Sequence, residues 1–101
     1  MRLRILDQAN ADLLVGYAFY EKQSSGVGSY FLETLVSDIE SLRLYGGIHR
    51  LVFGYHRLLS RRFPYAIYYQ VDGEWVYIWR VLDCRRNPSW ISTQVKKRRK
   101  K

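Results

Sequence analysis

The sequence predicts an α+β fold: a small, mostly antiparallel sheet with an antiparallel helical pair packed on one face. Three observations predict it. Two stretches before residue 48 carry apolar residues at helical spacing. Two runs rich in aromatic and β-branched residues, Tyr65–Val71 and Trp75–Leu82, flank Asp72-Gly73-Glu74, and Asp-Gly between such runs signals a hairpin. The predicted order, β-α-α-β-β-β-α, groups the helices so that they share one face of the sheet.

Arg2–Leu6 alternates polar and apolar residues and reads as a short strand. Asp7 or Asn10 can cap the next helix, which carries Leu13, Tyr17 and Tyr20 as its core stripe, widened by Leu14 and Ala18, and ends near Gln23. Ser24-Ser25-Gly26 breaks it. In the second helix Phe31, Leu35, Ile39 and Leu42 fall on one face, and Gly46-Gly47 stops it. Ile48–Gly54 reads as a loop or the approach to a strand. Strands are expected at Tyr55–Leu59, Tyr65–Val71 and Trp75–Leu82, with Pro64 at a strand start, where its missing N–H does least harm. Asn87-Pro88 opens a last short helix anchored by Trp90, Ile91 and Val95. Residues 1–95 thus form a single domain, and 96–101 a basic disordered tail. The sheet face away from the helical pair is expected to be concave, charged and open.

The chain has 101 residues and a formal net charge of +8, unevenly placed. Residues 1–48 hold four Lys/Arg against six Asp/Glu, and 49–95 hold seven against three. Lys96–Lys101 are all basic, so the positive field belongs to the sheet and the tail. No apolar run approaches the ~20 residues of a membrane span, and the lone Cys84 cannot form an internal disulfide. Both fit a cytoplasmic protein. No Cys/His/Asp grouping has metal-ligand spacing, so neither a metal nor a cofactor is expected. Cys84 reads as a small buried filler rather than a nucleophile, because no paired base is evident. Arg80 shares its strand phase with Val76 and Ile78, so either it snorkels from the sheet end or the strand bulges there. Trp75, Trp79, Tyr68 and Tyr69 read mainly as packing.

Several segments carry a family resemblance. They are Ala11-Asp12-Leu13 leading to Tyr20-Glu21, Gly26-Val27-Gly28 before Phe31, Arg61-Arg62-Phe63-Pro64-Tyr65-Ala66-Ile67-Tyr68-Tyr69, and Val81-Leu82-Asp83-Cys84-Arg85-Arg86-Asn87-Pro88. In this order, the chain resembles the RelE/ParE toxins of bacterial type II toxin–antitoxin modules over nearly its whole length. The resemblance implies a growth-inhibiting toxin, neutralised by a cognate antitoxin in a hetero-oligomer. RelE-like members act on ribosome-bound mRNA and ParE-like members on DNA gyrase. As a ribonuclease, the chain would use Arg57, Arg61 and Arg85 as catalytic groups handling phosphate charge. His56, Arg62, Tyr65, Tyr68 and Arg86 would bind the target or the antitoxin. Ala66 stands where the RelE pattern has a mid-strand arginine, and Ile91 where it has a tyrosine, which weighs against RNA cleavage. Tyr65 or Tyr68 is the candidate substitute. The alternative reading is a non-toxic basic nucleic-acid-binding module, with the tail as a sequence-independent phosphate binder.

Overall fold

The computed structural model describes residues 1–97. Their elements are β1 (Arg2–Ile5), α1 (Asp7–Gln23), α2 (Val27–Glu40), α3 (Leu42–Tyr45), β2 (Leu51–Val52), β3 (Tyr55–Leu59), β4 (Tyr65–Asp72), β5 (Trp75–Asp83) and α4 (Pro88–Lys96). The sheet order is β1-β5-β4-β3-β2, antiparallel throughout except that β1 runs parallel to β5. The α+β prediction holds, with one strand more than expected and the second helix broken at Ser41, so that Leu42 opens the short α3.

The added strand comes from a hairpin hidden in Val52-Phe53-Gly54-Tyr55. Phe53 (φ 56°) and Gly54 (φ 85°) both adopt positive φ, as a type I′ turn requires. An aromatic residue gives no sequence signal for that conformation. The β4–β5 turn lies at Gly73-Glu74, with Gly73 (φ 59°) at its first central position, because Asp72 still pairs with Trp75.

Inside the helical pair, α1 buries Ala9, Leu13 and Gly16, and α2 buries Gly28, Phe31, Leu35 and Ile39. Gly16 is the point of closest approach: a Cβ there would stand 2.5 Å from Phe31 Cζ. Leu14 and Ala18, expected in the core, are exposed, because the buried stripe runs through 9, 13 and 16 instead. Neither Asp7 nor Asn10 caps α1. Leu6 is the N-cap, without a side-chain bond, and Asp7 is the first helical residue, where its charge favours the helix dipole. Glu21 performs the capping of α2. Its carboxylate accepts from Gly26 N (2.9 Å) and Gly28 N (2.9 Å), supplying the acceptor that Gly26, as N-cap, lacks.

Below the helices, Ile67, Tyr69, Val76, Ile78 and Val81 complete the main core. The opposite face is not open, as expected, but covered by α4. Val95 is buried against Ala66, Tyr68 and Leu82, with Trp79, Trp90, Ile91, Tyr55 and Val52 around them. The helix is fixed at both ends: Asn87 caps Ser89 N at 2.8 Å, and Trp79 Nε1 donates to the Val95 carbonyl at 2.8 Å. It extends to Lys96, the first residue of the expected tail, and residues 98–101 of that tail lie outside those described.

Arg80 resolves through a bulge. Tyr69 pairs with Ile78 but Tyr68 with Arg80, so Trp79 is skipped and the strand changes phase. Arg80 leaves the row of Val76 and Ile78, yet it does not reach solvent: it is 8% exposed. β1 pairs only with Trp75–Ile78, which leaves the next stretch of β5 edge without a strand neighbour. Asp12 of α1 takes that place. Its carboxylate accepts from Arg80 Nε (2.7 Å), Arg80 Nη2 (2.9 Å) and the Val81 amide (2.9 Å). Arg80 Nη1 reaches the Gln94 carbonyl of α4 at 3.2 Å. One guanidinium therefore ties the helical pair, the sheet and α4 together.

Candidate functional site

The β3–β4 ladder sets Arg57 beside Tyr68, and both point to the α4 side of the sheet. Around them Val52, Phe53, Cys84, Pro88 and Ile91 close a pocket of about 220 Å³. The β2–β3 turn supplies Phe53, whose left-handed backbone, uncommon for a non-glycine residue, turns its ring into the wall. Lys96 Nζ stands 5.6 Å over that ring. Arg57 Nε is buried and has no hydrogen-bond partner among the described residues. Arg57 lines the pocket and brings a positive charge to it, which favours an anionic group there. Burial pushes the Tyr68 phenol up, and the neighbouring Arg57 charge and hydrogen bond oppose that push. Tyr68 is therefore a neutral O–H donor at physiological pH. Cys84 is exposed at the pocket rim, not a buried filler, because the turn after β5 lifts it out of the sheet.

Of the other site candidates, Tyr65 and Arg86 share a second pocket of about 220 Å³ with Asp12, Val15, Asp83 and Trp90, and the rest lie apart. Arg61 and Arg62 border a groove of about 260 Å³ against α2, lined also by Tyr30, Glu33, Ser37 and Asp38. Arg62 Nη1 donates to Tyr30 Oη at 2.7 Å. Arg85 is clasped by Asp83, with Nε at 3.0 Å and Nη2 at 2.8 Å, and its Nη2 comes within 3.5 Å of Tyr20 Oη. Burial would raise the Asp83 carboxyl, but the Arg85 hydrogen bonds and the Arg85 and Arg86 charges outweigh it and hold the group below its usual range. Arg86 Cζ stands over Trp90, 3.8 Å from the ring centroid. Arg57, Arg61 and Arg85 thus occupy three separate settings, and only Arg57 lines the pocket beside α4.

Tyr65 and His56 are on the helix side of the sheet. Tyr65 is buried among Phe31, Phe63 and Tyr20, and burial pushes its phenol up to about 12. His56 stacks on Tyr69 at 5.1 Å, and its Nδ1 bonds the His49 carbonyl. The Tyr69 hydroxyl accepts from Gly47 N at 3.0 Å and hydrogen-bonds with His49 Nδ1. Burial first, and the His56 charge second, lower the His49 pKa and favour its neutral ring. Among the described residues no group of three or more His, Cys, Asp or Glu is arranged to hold a metal ion.

Sequence reasoning missed Phe53, because nothing local marks its conformation. It also left Asp12, Glu21 and Gln94 without roles. Asp12 and Glu21 lie inside the segments that carried the family resemblance, which gave neither of them a role.

No family model matches the chain, and no curated protein matches it. Among solved structures, one chain described as "Chromosomal ParDE TA system from P. aeruginosa" is similar over 80% of this chain and 92% of its own length, at 24% sequence identity and a TM-score of 0.72. No helix among the described residues is long and apolar enough to cross a membrane. Over four-fifths of its length the chain therefore shares its fold with a chain of a ParDE toxin–antitoxin system, the fold that the resemblance to the RelE/ParE toxins implies.

Proposed function

We propose that this protein is the toxin of a type II toxin–antitoxin module, neutralised by a cognate antitoxin, and that it inhibits its target by binding rather than by cleavage. DNA gyrase is the target this reading favours. The observation that carries it is the dispersal of the basic residues. A metal-free ribonuclease needs several charged or proton-donating groups converging on one phosphate. Here Arg57 lines its pocket beside Tyr68, Arg85 is engaged by Asp83, and Arg61 belongs to the α2 groove. Ala66 and Ile91 supply no further charge where the RelE pattern places an arginine and a tyrosine. The Arg57 charge, with Tyr68 beside it and Lys96 over Phe53, suits the pocket to one anionic side chain or phosphate. The fold neighbour's description as a ParDE system supports the same direction.

The Arg57–Tyr68 pair supports a second reading, a ribosome-dependent mRNA endonuclease, because both groups can donate to a phosphorane. Two assays on the purified protein decide. Supercoiling by DNA gyrase is expected to be inhibited, with less inhibition by Arg57→Ala, while ribosome-bound mRNA stays intact. Cleavage of that mRNA, lost in Arg57→Ala, establishes the nuclease instead. Expression without an antitoxin that leaves growth unchanged removes both readings in favour of a non-toxic nucleic-acid-binding module.

A further inference from the structure

Helix α1 is apolar on both sides. Its inward face, Ala9, Leu13 and Gly16, is buried in the core. Its outward face presents Ala11, Leu14, Val15 and Ala18, all exposed, Leu14 by 56% and Val15 by 70%. A single surface leucine needs no explanation. Apolar residues at i, i+3, i+4 and i+7 form the stripe one helix offers to another.

This stripe reads the same from either end. In chain order its exposed members are Asp7, Ala11, Leu14, Val15, Ala18 and Lys22: acidic, small, large, large, small, basic. In an antiparallel pair with a twofold axis at the 14–15 step, Ala11 faces Ala18 of the second copy and Leu14 faces its Val15. Asp7 and Lys22 lie opposite each other at both ends. A twofold interface must be complementary to itself, and this pattern satisfies that condition in size and in charge. Alanine on both sides of the centre lets the helix axes approach toward the short end of the usual 8–10 Å range. A helix of unrelated sequence needs an apolar stripe to dock here, but it has no need of a palindromic one.

We infer that the outward face of α1 is a homodimer seam, paired antiparallel with α1 of a second copy of this chain. No residue of α1 lines the Arg57 pocket, although Val15 borders α4 in a neighbouring cleft with Arg86 and Trp90. The seam is smaller than a standard interface of about 800 Å² per partner, which makes the dimer a weak one with a Kd on the order of 10 μM.

The test is sedimentation velocity on the full chain from about 1 to 300 μM, a range that brackets such a Kd. Reversible dimerisation is expected. Val15→Asp, which sets a carboxylate against Leu14 of the second copy, is expected to weaken it at least about tenfold, or 1.4 kcal/mol. The substitution is at an exposed site, and an unchanged circular dichroism spectrum shows that the fold survives. Nitroxide labels report the orientation, in a Cys84→Ser background because the native thiol is exposed. Labels on Val15→Cys should lie within about 15 Å of each other, and labels on Lys22→Cys about 22 Å apart along the helices, at 1.5 Å per residue. A parallel pairing would bring both label pairs close and would overturn the proposal. So would a monomer at every concentration, or a dimer indifferent to Val15→Asp. If the chain is monomeric and Val15→Asp weakens an antitoxin complex instead, the stripe belongs to that partner and the proposal is wrong.

Discussion

Asp12→Ala is expected to destabilise the protein more than the loss of one contact would. The aspartate carboxylate takes two hydrogen bonds from Arg80 and one from the Val81 amide, and the two charged side chains are 14% and 10% exposed. Removing it leaves a buried guanidinium without its counter-charge and a β5 N–H without an acceptor. Breaking a buried ion pair by deleting one partner costs about 3–5 kcal/mol. The orphaned amide overlaps with that figure rather than adding in full, so about 4 kcal/mol is expected. A domain of this size has roughly 5–15 kcal/mol in total, so the variant keeps a marginal fold. Urea denaturation followed by tryptophan fluorescence gives the value: the midpoint should fall while the m-value stays the same. The double variant Asp12→Leu/Arg80→Met should cost less than Asp12→Ala alone, because it removes the stranded charge. An Asp12→Ala cost below about 1 kcal/mol, within the range of an exposed ion pair, would refute the clasp as a buried junction.

Three further expectations follow from other sites. Glu21→Ala should cost about 1–2 kcal/mol and raise hydrogen exchange at the Gly26 and Gly28 amides, and unchanged protection there would show that α2 does not depend on this carboxylate. Phe53→Asn should stabilise the β2–β3 hairpin by about 1 kcal/mol, since asparagine tolerates positive φ, while weakening inhibition of the target, and a loss of stability would mean the ring's packing outweighs the backbone strain. Because His49 is held neutral, the unfolded chain binds the proton first as pH falls. Its contribution is therefore complete above the ordinary histidine value of about 6.5 and is lost as pH drops through that value toward the lower folded one. Stability measured from pH 8 to 5 should fall, and His49→Asn should flatten the slope, whereas an equal slope in the variant assigns it elsewhere.

The α+β layout was legible because periodicity reports which face of an element is buried. Phe31, Leu35 and Ile39 announced α2, and the Tyr65 and Trp75 runs announced the central hairpin. In α1 the same rule misplaced Leu14 and Ala18, because the stretch from Leu13 to Tyr20 is apolar on every side and the stripe alone does not say which side faces inward. Arg80 could be marked as anomalous from strand phase, but its partner Asp12 is 68 residues away and only the end of β1 creates the need for it. The site was harder still. Arg57, Tyr65, Tyr68 and His56 are close in sequence, yet strand alternation sends Arg57 and Tyr68 to one face and His56 and Tyr65 to the other. The charge split found the basic half correctly and could not show that its arginines serve different surfaces.

The pairing of β1 with β5 has a consequence for biosynthesis. Arg2 has no sheet neighbour until Trp75 exists, and the α1 clasp waits for Val81. At roughly 5–20 residues per second, a ribosome delivers that partner about 4–16 s after β1. Until then the helical pair has only its own side chains to pack against, and the sheet it needs is unmade. Such a contact pattern places the chain among proteins whose long-range pairings close late and together. A nascent chain of this protein therefore gains its working surface only once β5 is made, all at once, and one terminated before β5 gains none of it.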